Sequence, residues 1–441
     1  MKYDCIVIGS GAGGLTVAFG LAGAGKKILL IEKSNVGGEC TWSGCVPSKA
    51  FINLSKNQMP IEIALEEVRK VIKNIAGKED PIVLKEKGID YIKGIGKFIK
   101  EDSIEVNEEI YTGDKIVIAT GSSPFIPPIK GLENIDYLTN SNFFIQKTIP
   151  KKLVMIGGGV ISLELSFALK RFGIDVTIYE IGEKLVPVED EEISEFYKNK
   201  LRKEGIELYL NCGNIELKQE GDKVQVITEN KVEEFDKIFI STGRVPNING
   251  LDLEKTGVSY SKRGINVNEN MLTDNKNIYA IGDVVGPYRF SHMAGYNGEI
   301  VVRNILFPYI KKKADYRSIP WTIFTNPEFS RMGINEREAM ELKENIKIYK
   351  LLGKDNERSI ISLEDDFYLK VICDKKFRVI GACCIGDRAG EIIGLLQFMN
   401  SQNLKFYKLM ESIQAYPTYI DSLRKLSKLA YVDHLKELVK I

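Results

Sequence analysis

The chain has 441 residues, of which 44% are hydrophobic and 27% are charged, so it is long enough to form two to four globular domains. Its 61 basic and 60 acidic residues give a net charge of +1, and no block of like charge resembles a nucleic-acid-binding arm. We therefore expect no nucleic-acid partner. Seven cysteines without a regular framework favour a reducing cytoplasm over a secreted, disulfide-stabilised scaffold.

The uncharged stretch from Cys5 to Gly25 has two interpretations. Its run Ala22-Gly23-Ala24 resembles a signal-peptide cleavage site. However, a strand, a glycine turn, a small-residue helix and a following strand account for the whole stretch as a βαβ unit. We therefore predict no signal peptide, no transmembrane segment and no membrane partner, and we expect a cytoplasmic protein.

The first glycine loop follows a predicted strand over Tyr3–Ile8 and opens a helix that runs to about Gly23. A second strand is predicted over Lys27–Ile31, and Glu32 follows it. In such a unit, the loop brings backbone N–H groups and a helix N-terminus up to a pyrophosphate, while the acid binds ribose hydroxyls. The loop positions with this predicted role are Gly9, Gly11 and Gly14.

A second glycine loop, at Gly157 and Gly159, follows a predicted strand over Lys152–Ile156. Ser162 stands in place of the third glycine and is small enough to keep the helix packing. Glu180, at the end of the next strand, accepts a ribose 2′-OH and repels a 2′-phosphate, which favours NADH over NADPH. The alternative is that Lys184, or an arginine elsewhere in the chain, overrides this acid.

Two cysteines, Cys40 and Cys45, lie shortly after the first loop in the run from Gly37 to Lys49. Their spacing could place two sulfurs within disulfide reach at the start of a helix, whose positive end favours a thiolate. We predict a redox pair that carries electrons from a dinucleotide to an acceptor. Zinc is disfavoured because no second pair or nearby histidine completes four ligands, and we predict no metal site. Two unrelated core thiols are the alternative.

The other cysteines lie in or beside apolar, strand-like segments and are predicted to be small core residues: Cys5, Cys212, Cys373, Cys383 and Cys384. The adjacent Cys383 and Cys384 do not suit a metal, because consecutive strand residues point to opposite faces.

The remaining pattern indicates charged helices over residues 55–88 and short strands over 91–118. Near Pro320 the sequence pattern changes and indicates a separate α+β domain. Its predicted strands are Lys347–Leu352, Phe367–Cys373 and Val379–Ile385, and the rest is predicted to be helical. We predict four segments, 1–148, 149–246, 247–318 and 319–441.

Together these residues resemble the flavin-dependent pyridine-nucleotide disulfide oxidoreductases, which include dihydrolipoamide dehydrogenase, glutathione reductase and mercuric reductase. The matching motifs are the Gly9 loop, Gly38 to Lys49, Ala119 to Gly121, the Gly157 loop with Glu164, Gly243 to Asn247, Ile278 to Asp283, and Ile319 to Trp321. The resemblance implies an α/β fold with two Rossmann-like dinucleotide-binding domains. Residues 1–148 and 247–318 would bind FAD, 149–246 would bind NAD(H), and 319–441 would be an α+β dimerisation domain of a homodimer.

The resemblance also implies roles for individual residues. Cys45 would be the thiolate beside the flavin and Cys40 the outer thiol that attacks the acceptor. Lys49 would approach the flavin and pair with Glu164, although a solvated surface charge is the alternative for both. The residues that would contact FAD or NADH are Gly9, Gly11, Gly14, Glu32, Lys33, Gly38, Lys49, Gly96, Thr120, Gly121, Gly157, Gly159, Glu180, Gly243, Gly282, Asp283 and His292.

The chain departs from the family pattern near its C-terminus. Disulfide reductases usually carry a histidine and a glutamate there as base and orienter, and Tyr416 and Asp421 occupy these positions. A phenol, with an ordinary pKa of about 10, is a weaker base near neutral pH than an imidazole at about 6.5. The only other histidine, His434, lies in a helix-like tail and is predicted to be a surface residue.

Mercuric reductases have a tyrosine at that position, but they also need a C-terminal cysteine pair that this chain lacks. The leading hypothesis is an NADH-dependent, dihydrolipoamide dehydrogenase-like reductase. The alternatives are a mercuric-reductase-like or other metal or quinone reductase, and a redox-sensing FAD protein with little turnover. The leucine-rich last helix with its lysines is predicted to pack in the dimer, and a helix lying on a membrane is the alternative.

Overall fold

The computed structural model describes residues 1–342 and 345–439. Its strands, in chain order, are β1 Lys2–Ile8, β2 Ile28–Glu32, β3 Ile89–Lys93, β4 Lys97–Lys100, β5 Ser103–Val106, β6 Glu109–Ile118, β7 Ser122–Pro124, β8 Lys152–Ile156, β9 Asp175–Tyr179, β10 Glu207–Tyr209, β11 Glu216–Glu220, β12 Lys223–Ile227, β13 Val232–Phe235, β14 Lys237–Ile240, β15 Arg244–Pro246, β16 Tyr260–Ser261, β17 Gly264–Ile265, β18 Ile278–Ala280, β19 Pro320–Ile323, β20 Glu328–Gly333, β21 Lys347–Leu352, β22 Tyr368–Cys373 and β23 Val379–Gly386.

The α-helices are α1 Ala12–Gly23, α2 Gly38–Trp42, α3 Cys45–Leu54, α4 Ile61–Ala76, α5 Pro81–Glu86, α6 Asn140–Phe143, α7 Val160–Arg171, α8 Glu191–Lys203, α9 Ser291–Leu306, α10 Glu336–Glu341, α11 Glu357–Ile361, α12 Ala389–Ser401 and α13 Asp421–Val439. The predicted helical region 55–88 is confirmed as α4 and α5, and the short strands over 91–118 are confirmed as β3 to β6.

The chain divides into two compact units. The first comprises Met1–Ile181 and Tyr209–Ala314, and the second comprises Gly182–Leu208 and the described residues from Asp315 onward. The four segments predicted from the sequence do not coincide with these units, because the segment 149–246 contains Gly182–Leu208 of the second unit.

A parallel sheet in the first unit carries the first glycine loop. Its strands lie in the order β3, β2, β1, β6, with β5 and β4 continuing antiparallel and β18 pairing parallel with β6. Residues 5–8 of β1 and 28–31 of β2 are apolar and buried, as expected for a parallel sheet covered on both faces. Helix α1 packs against α9, and the loop between β1 and α1 lies at the carboxyl end of the strands.

The second glycine loop has the same setting in a smaller sheet. Strands β9, β8 and β14 run parallel, and the loop after β8 opens α7. A three-stranded antiparallel sheet, β11 to β13, belongs to the same unit. Both predicted βαβ units are therefore confirmed.

The second unit contains an antiparallel sheet in the order β19, β20, β23, β22, β21. The three strands predicted here are confirmed, but the prediction that the rest is helical is wrong, because β19 and β20 are strands as well. Pro320 opens β19, and β20 carries Ser330 and Arg331 at buried positions. These polar residues interrupt the apolar pattern that identifies a buried strand.

Two further features of the described residues bear on the sequence predictions. No helix in this part of the chain has the length and apolar character needed to cross a membrane. In α13, Leu423 and Leu426 are buried, whereas Leu429, Leu435 and Leu438 are exposed.

Candidate redox-active site

Cys40 and Cys45 lie on two consecutive short helices. Cys40 is within α2, and Cys45 is the first residue of α3. The pKa of Cys45 lies below that of an ordinary thiol, chiefly because the Cys40 thiol donates a hydrogen bond to its sulfur. A hydrogen bond from Ser291 and the positive charge of Lys49 lower it further. The same contact with Cys45, together with burial, raises the pKa of Cys40, so Cys45 carries the charge and Cys40 keeps the proton.

An ion pair lies one helical turn beyond Cys45. The Lys49 Nζ donates to Glu164 Oε2 at 2.8 Å, and the Glu164 side chain, on α7, is only 4% exposed. Helix α3 packs against α7, which brings the two residues together. The alternative of solvated surface charges is wrong for Glu164, because a buried carboxylate requires such a partner.

The first glycine loop fits a bound pyrophosphate. A Cβ on Gly9, whose φ is +103°, would lie 2.3 Å from the Ala119 carbonyl oxygen, and one on Gly14 would lie 1.9 Å from the Gly9 oxygen. By contrast, a Cβ on Gly11 would meet nothing within 4 Å, so the loop presents open space at the start of α1. The Glu32 carboxylate holds the loop, accepting from Ser10 N at 2.9 Å and Ser10 Oγ at 2.8 Å.

The second loop has the same construction. Gly157 has a φ of +102°, and a Cβ there would lie 2.6 Å from the Ser241 carbonyl oxygen. Gly159 is exposed at the start of α7, and Glu180 accepts a hydrogen bond from Gly158 N at 2.5 Å. An acid therefore accepts a hydrogen bond from the backbone of each glycine loop.

The redox helices are built directly against the first loop. A Cβ on Gly38, the first residue of α2, would lie 2.6 Å from the Gly11 Cα, so only glycine allows this approach. The glycine loop and the Cys40 helix are therefore adjacent.

The other predicted cofactor residues of the first unit differ in their contacts and in their burial. Thr120 Oγ1 donates to the Asn247 oxygen at 2.7 Å, and Asp283 accepts from Ser122 Oγ at 2.6 Å. His292 is exposed and stacks on Phe290 with ring centroids 5.2 Å apart. Gly96 and Gly282 are buried, Gly121 is half-buried, and Gly243 and Lys33 are exposed.

A polar cluster next to Cys40 was not among the predicted site residues. Arg244 makes a bidentate ion pair with Glu39, with Nη1 to Oε1 at 3.0 Å, and its Nε donates to Ser122 Oγ at 2.7 Å. Asn140 Nδ2 also donates to Glu39 Oε1, at 2.5 Å. The only signal in the sequence is an acid directly before Cys40 and an arginine in the Gly243 motif, and their contact depends on the fold.

Tyr416 and Asp421 lie in the second compact unit, whereas the cysteine pair lies in the first. Tyr416 is 68% exposed, and Asp421 is the half-buried first residue of α13. The prediction that His434 is a surface residue is confirmed only in part. It is half-buried and stacks on Tyr407 with ring centroids 4.4 Å apart.

The remaining cysteines behave as predicted, with one partial exception. Cys5, Cys373, Cys383 and Cys384 are buried, and burial raises the pKa of each thiol. Cys212 is only half-buried.

Fold and site together define a class of redox enzyme that joins two dinucleotide-binding βαβ units to a cysteine pair. Comparison with known families identifies the class: residues 3–298 match the pyridine nucleotide-disulphide oxidoreductase family, and residues 319–427 match the dimerisation domain of that family. The chain belongs to this family, whose members use FAD and NAD(P)H, and the dimerisation domain indicates a homodimer.

Similar proteins differ in their named activities. A mercuric reductase of Staphylococcus aureus is 31% identical over 97% of this chain and 82% of its own length. A dihydrolipoyl dehydrogenase of Bacillus subtilis is 32% identical over 95% of this chain and 94% of its own length. Among solved structures, a Cu(II) complex of the HOCl-induced flavoprotein disulfide reductase RclA from Escherichia coli has a TM-score of 0.91 at 29% identity, covering 97% of this chain and 99% of that one.

Proposed function

We propose that the protein is an NADH-dependent flavoprotein reductase whose electrons pass from NADH through FAD to the Cys40–Cys45 disulfide and on to an acceptor disulfide, as in dihydrolipoyl dehydrogenase. The observation that supports this proposal best is the polarised sulfur pair. Cys45 at the start of α3 favours the thiolate, and Cys40 beside it retains its proton. In the reduced pair, the inner sulfur thus carries the charge, and the outer thiol must give up its proton to a base before it can attack an acceptor disulfide.

The chain's own residues are proposed to bind the two cofactors and to stabilise the thiolate. When bound, FAD accepts the hydride of NADH and supplies an electron pair to sulfur. The Gly9 loop and Glu32 are proposed to hold its pyrophosphate and ribose, and the Gly157 loop and Glu180 those of NADH. The Lys49 ammonium, held by Glu164, places a positive charge beside Cys45 and favours its thiolate.

The domain roles and the compartment are part of the same proposal. Residues 1–148 and 247–318 are proposed to bind FAD, 149–246 to bind NADH and 319–441 to form the dimer interface. The buried free thiols, Cys5 among them, suit a reducing cytoplasm.

A second candidate acceptor is a thiophilic metal ion. Tyr416 replaces the usual base, and two adjacent sulfurs can bind such an ion as thiolates without a base that protonates a leaving thiol. The similarity to mercuric reductases and to the copper-bound RclA structure supports testing this candidate.

The electron path is tested by anaerobic titration of the purified flavoprotein with NADH. Two-electron reduction is expected to give the long-wavelength absorbance of a thiolate beside flavin, and Cys45→Ser is expected to abolish it. Cys212→Ser is the matched control, since Cys212 is a half-buried thiol that we assign no part in the transfer. Absence of the band in the unmodified protein would reject the disulfide path.

The acceptor is identified by offering the reduced protein lipoamide, oxidised glutathione, an aryl disulfide, a quinone, Hg²⁺ and Cu²⁺ in turn. Steady turnover with lipoamide supports the leading proposal, and turnover with a metal ion alone supports the second. If the long-wavelength absorbance forms but none of these acceptors is turned over, the result would favour a redox sensor.

The preference for NADH is proposed to depend on the charge of Glu180. Glu180→Gln keeps an oxygen for the Gly158 N–H but removes the charge that repels a 2′-phosphate. We expect kcat/KM for NADPH to rise about tenfold relative to that for NADH, equivalent to about 1.4 kcal/mol. The control, Glu183→Gln, removes an exposed charge nearby and should leave the ratio unchanged. Equal efficiency with both nucleotides in the unmodified enzyme would contradict the assignment.

A further inference from the structure

Ser291 lies next to the sulfur that carries the charge. Its Oγ is 3.3 Å from Cys45 Sγ, although the two residues are 246 positions apart in the chain. It is the first residue of α9, whose N-cap is Phe290, so the hydroxyl does not act as the helix cap. The serine therefore approaches the redox pair from an element that carries neither cysteine.

The direction of this hydrogen bond follows from the charge on sulfur. A thiolate has no proton and can only accept, so a hydroxyl beside it must donate. Ser291 also contacts Cys40 and lowers its pKa, but the hydrogen bond that the Cys40 thiol donates to Cys45, together with burial, outweighs this contact and leaves the pKa of Cys40 raised. The Cys45 sulfur thus receives two donors, one from the other cysteine and one from Ser291.

The other groups around Cys45 supply charge. Lys49 on α3 favours the thiolate, while Glu164 on α7 opposes it. Since these two form an ion pair with each other, part of the charge of Lys49 is already neutralised. His292 follows Ser291 on α9 and stacks on Phe290. A neutral donor at hydrogen-bond distance from the sulfur therefore matters more than it would beside an unpaired ammonium.

We propose that Ser291 is a catalytic residue, whose hydroxyl donates to Cys45 Sγ in the reduced enzyme and so keeps the negative charge on Cys45 and the proton on Cys40. Two electrons break the Cys40–Cys45 S–S bond, leaving a thiolate on each sulfur, and one proton then goes to Cys40. The hydride of NADH contains both this electron pair and this proton, so the step balances. The inference rests on the proposed function, because it concerns the reduced form of the pair.

The test measures the thiolate itself. The reduced holoprotein is treated with brief pulses of iodoacetamide between pH 4.5 and 9, and modification of Cys45 and Cys40 is quantified by peptide mass spectrometry. The long-wavelength absorbance of the NADH-reduced protein is followed over the same pH range. In Ser291→Ala, we expect the midpoint pH of Cys45 alkylation to rise by about one unit, because the hydrogen-bond donor to the thiolate is lost. At a pH below the midpoint, the thiolate fraction of Cys45 should then fall about tenfold.

Two variants make the test specific. Ser291→Thr retains a hydroxyl and should keep the midpoint of the unmodified protein. Ser48→Ala removes a hydroxyl that donates to the Cys45 carbonyl oxygen at 3.3 Å, not to its sulfur, and should leave the midpoint unchanged.

Three results would overturn the proposal: an unchanged midpoint in Ser291→Ala, an equal shift in Ser48→Ala, or a threonine variant that behaves like the alanine variant. The proposed function fails separately, if the unmodified protein shows no long-wavelength band and reduces no acceptor. The alkylation midpoints still decide the role of Ser291 in that case, because they do not depend on the flavin.

Discussion

The difference between the two cysteines is set by individual contacts. Cys40 and Cys45 are chemically identical side chains, yet one pKa rises and the other falls. The chief cause is the hydrogen bond that the Cys40 thiol donates to the Cys45 sulfur, which lowers the pKa of Cys45 and, together with burial, raises that of Cys40. The sequence predicted a pair, and its resemblance to a family implied which sulfur is the inner one, but the donors to Cys45 required the structure.

Lys370 provides a second example at this scale. Its side chain is 1% exposed, and its Nζ lies 2.7 Å from Asp190, 2.5 Å from Glu192 and 3.0 Å from Glu336. These three carboxylates are near enough to one another to hold a cation, and the lysine ammonium already supplies it. We therefore assign no metal to this cluster.

Removing this ammonium is expected to be costly. Lys370→Met leaves Asp190 and Glu192 without their ammonium, but these carboxylates are only partly buried or exposed, so we expect the free energy of unfolding at pH 7 to fall by about 1–3 kcal/mol. Lys350→Met is the matched control. Lys350 contacts the same Glu336 at 2.8 Å but is 43% exposed, so its loss should cost less than about 1 kcal/mol. Urea unfolding measures the free energy of unfolding of both variants. Equal losses in Lys370→Met and Lys350→Met would contradict the expected difference between the buried and the exposed lysine.

The same cluster predicts how stability depends on pH. Burial raises the pKa of Asp190, but hydrogen bonds from Lys370 and from the backbone N–H of Glu336 outweigh it and leave the pKa below its usual value. A carboxylate with a lowered pKa stabilises the fold above its unfolded pKa, and this contribution is lost as the pH falls through the folded pKa. The stability of the second unit should therefore decline below about pH 4, and less steeply in Lys370→Met.

At the scale of elements, each dinucleotide unit depends on close contact between a strand end and a helix start. The glycines of the first loop differ in what they do. Gly14 packs against the backbone of Gly9, whereas Gly11 faces open space. The spacing of glycines predicted the loop, but only the packing separates the glycine that permits contact from the one that leaves room for a ligand.

This difference can be measured in α1. A Cβ on Gly14 would lie 1.9 Å from the Gly9 oxygen, so Gly14→Ala should push the helix away from the strand and cause loss of most of the bound flavin. Gly23→Ala, at the last residue of the same helix, meets nothing within 4 Å and should retain it. Flavin absorbance per chain after purification gives the readout. Full flavin in Gly14→Ala would show that the loop is not where FAD binds.

At the scale of the whole molecule, the residues proposed for acceptor chemistry belong to both compact units. Tyr416 and Asp421 belong to the second unit, within the match to the family's dimerisation domain. The resemblance to the family implies that such residues act at the partner's cysteine pair. Association of two chains would then be a condition of acceptor reduction and not only of stability.

The replacement of the family's histidine can be tested directly. If a missing base limits exchange with disulfides, Tyr416→His should raise lipoamide turnover about tenfold, at the lower end of what a general base contributes, while NADH reduction of the flavin stays unchanged. The high exposure of Tyr416 in the chain makes the substitution tolerable for folding. Stopped-flow absorbance separates the two half-reactions. Unchanged lipoamide turnover with an intact first half-reaction would show that this position does not limit the reaction.

Much of this architecture follows from the sequence alone, for physical reasons. Glycine spacing, apolar strands and an acid 23 residues after each first glycine determine two dinucleotide units, because these features act within about 30 residues. The spacing of Cys40 and Cys45 predicts the redox pair for the same reason, because this signal also lies within a few residues. Strands β19 and β20 were missed because their buried polar residues, such as Arg331 paired with Glu189, have no local signature.

Only the tertiary structure decided which groups meet around that pair. Ser291 lies 246 residues from Cys45, Glu164 lies 115 residues from Lys49, and Arg244 lies 205 residues from Glu39. No local pattern encodes such contacts, since they depend on how helices and strands pack. The sequence thus predicted a redox-active cysteine pair after a dinucleotide loop, and the fold decided which side chains surround each sulfur.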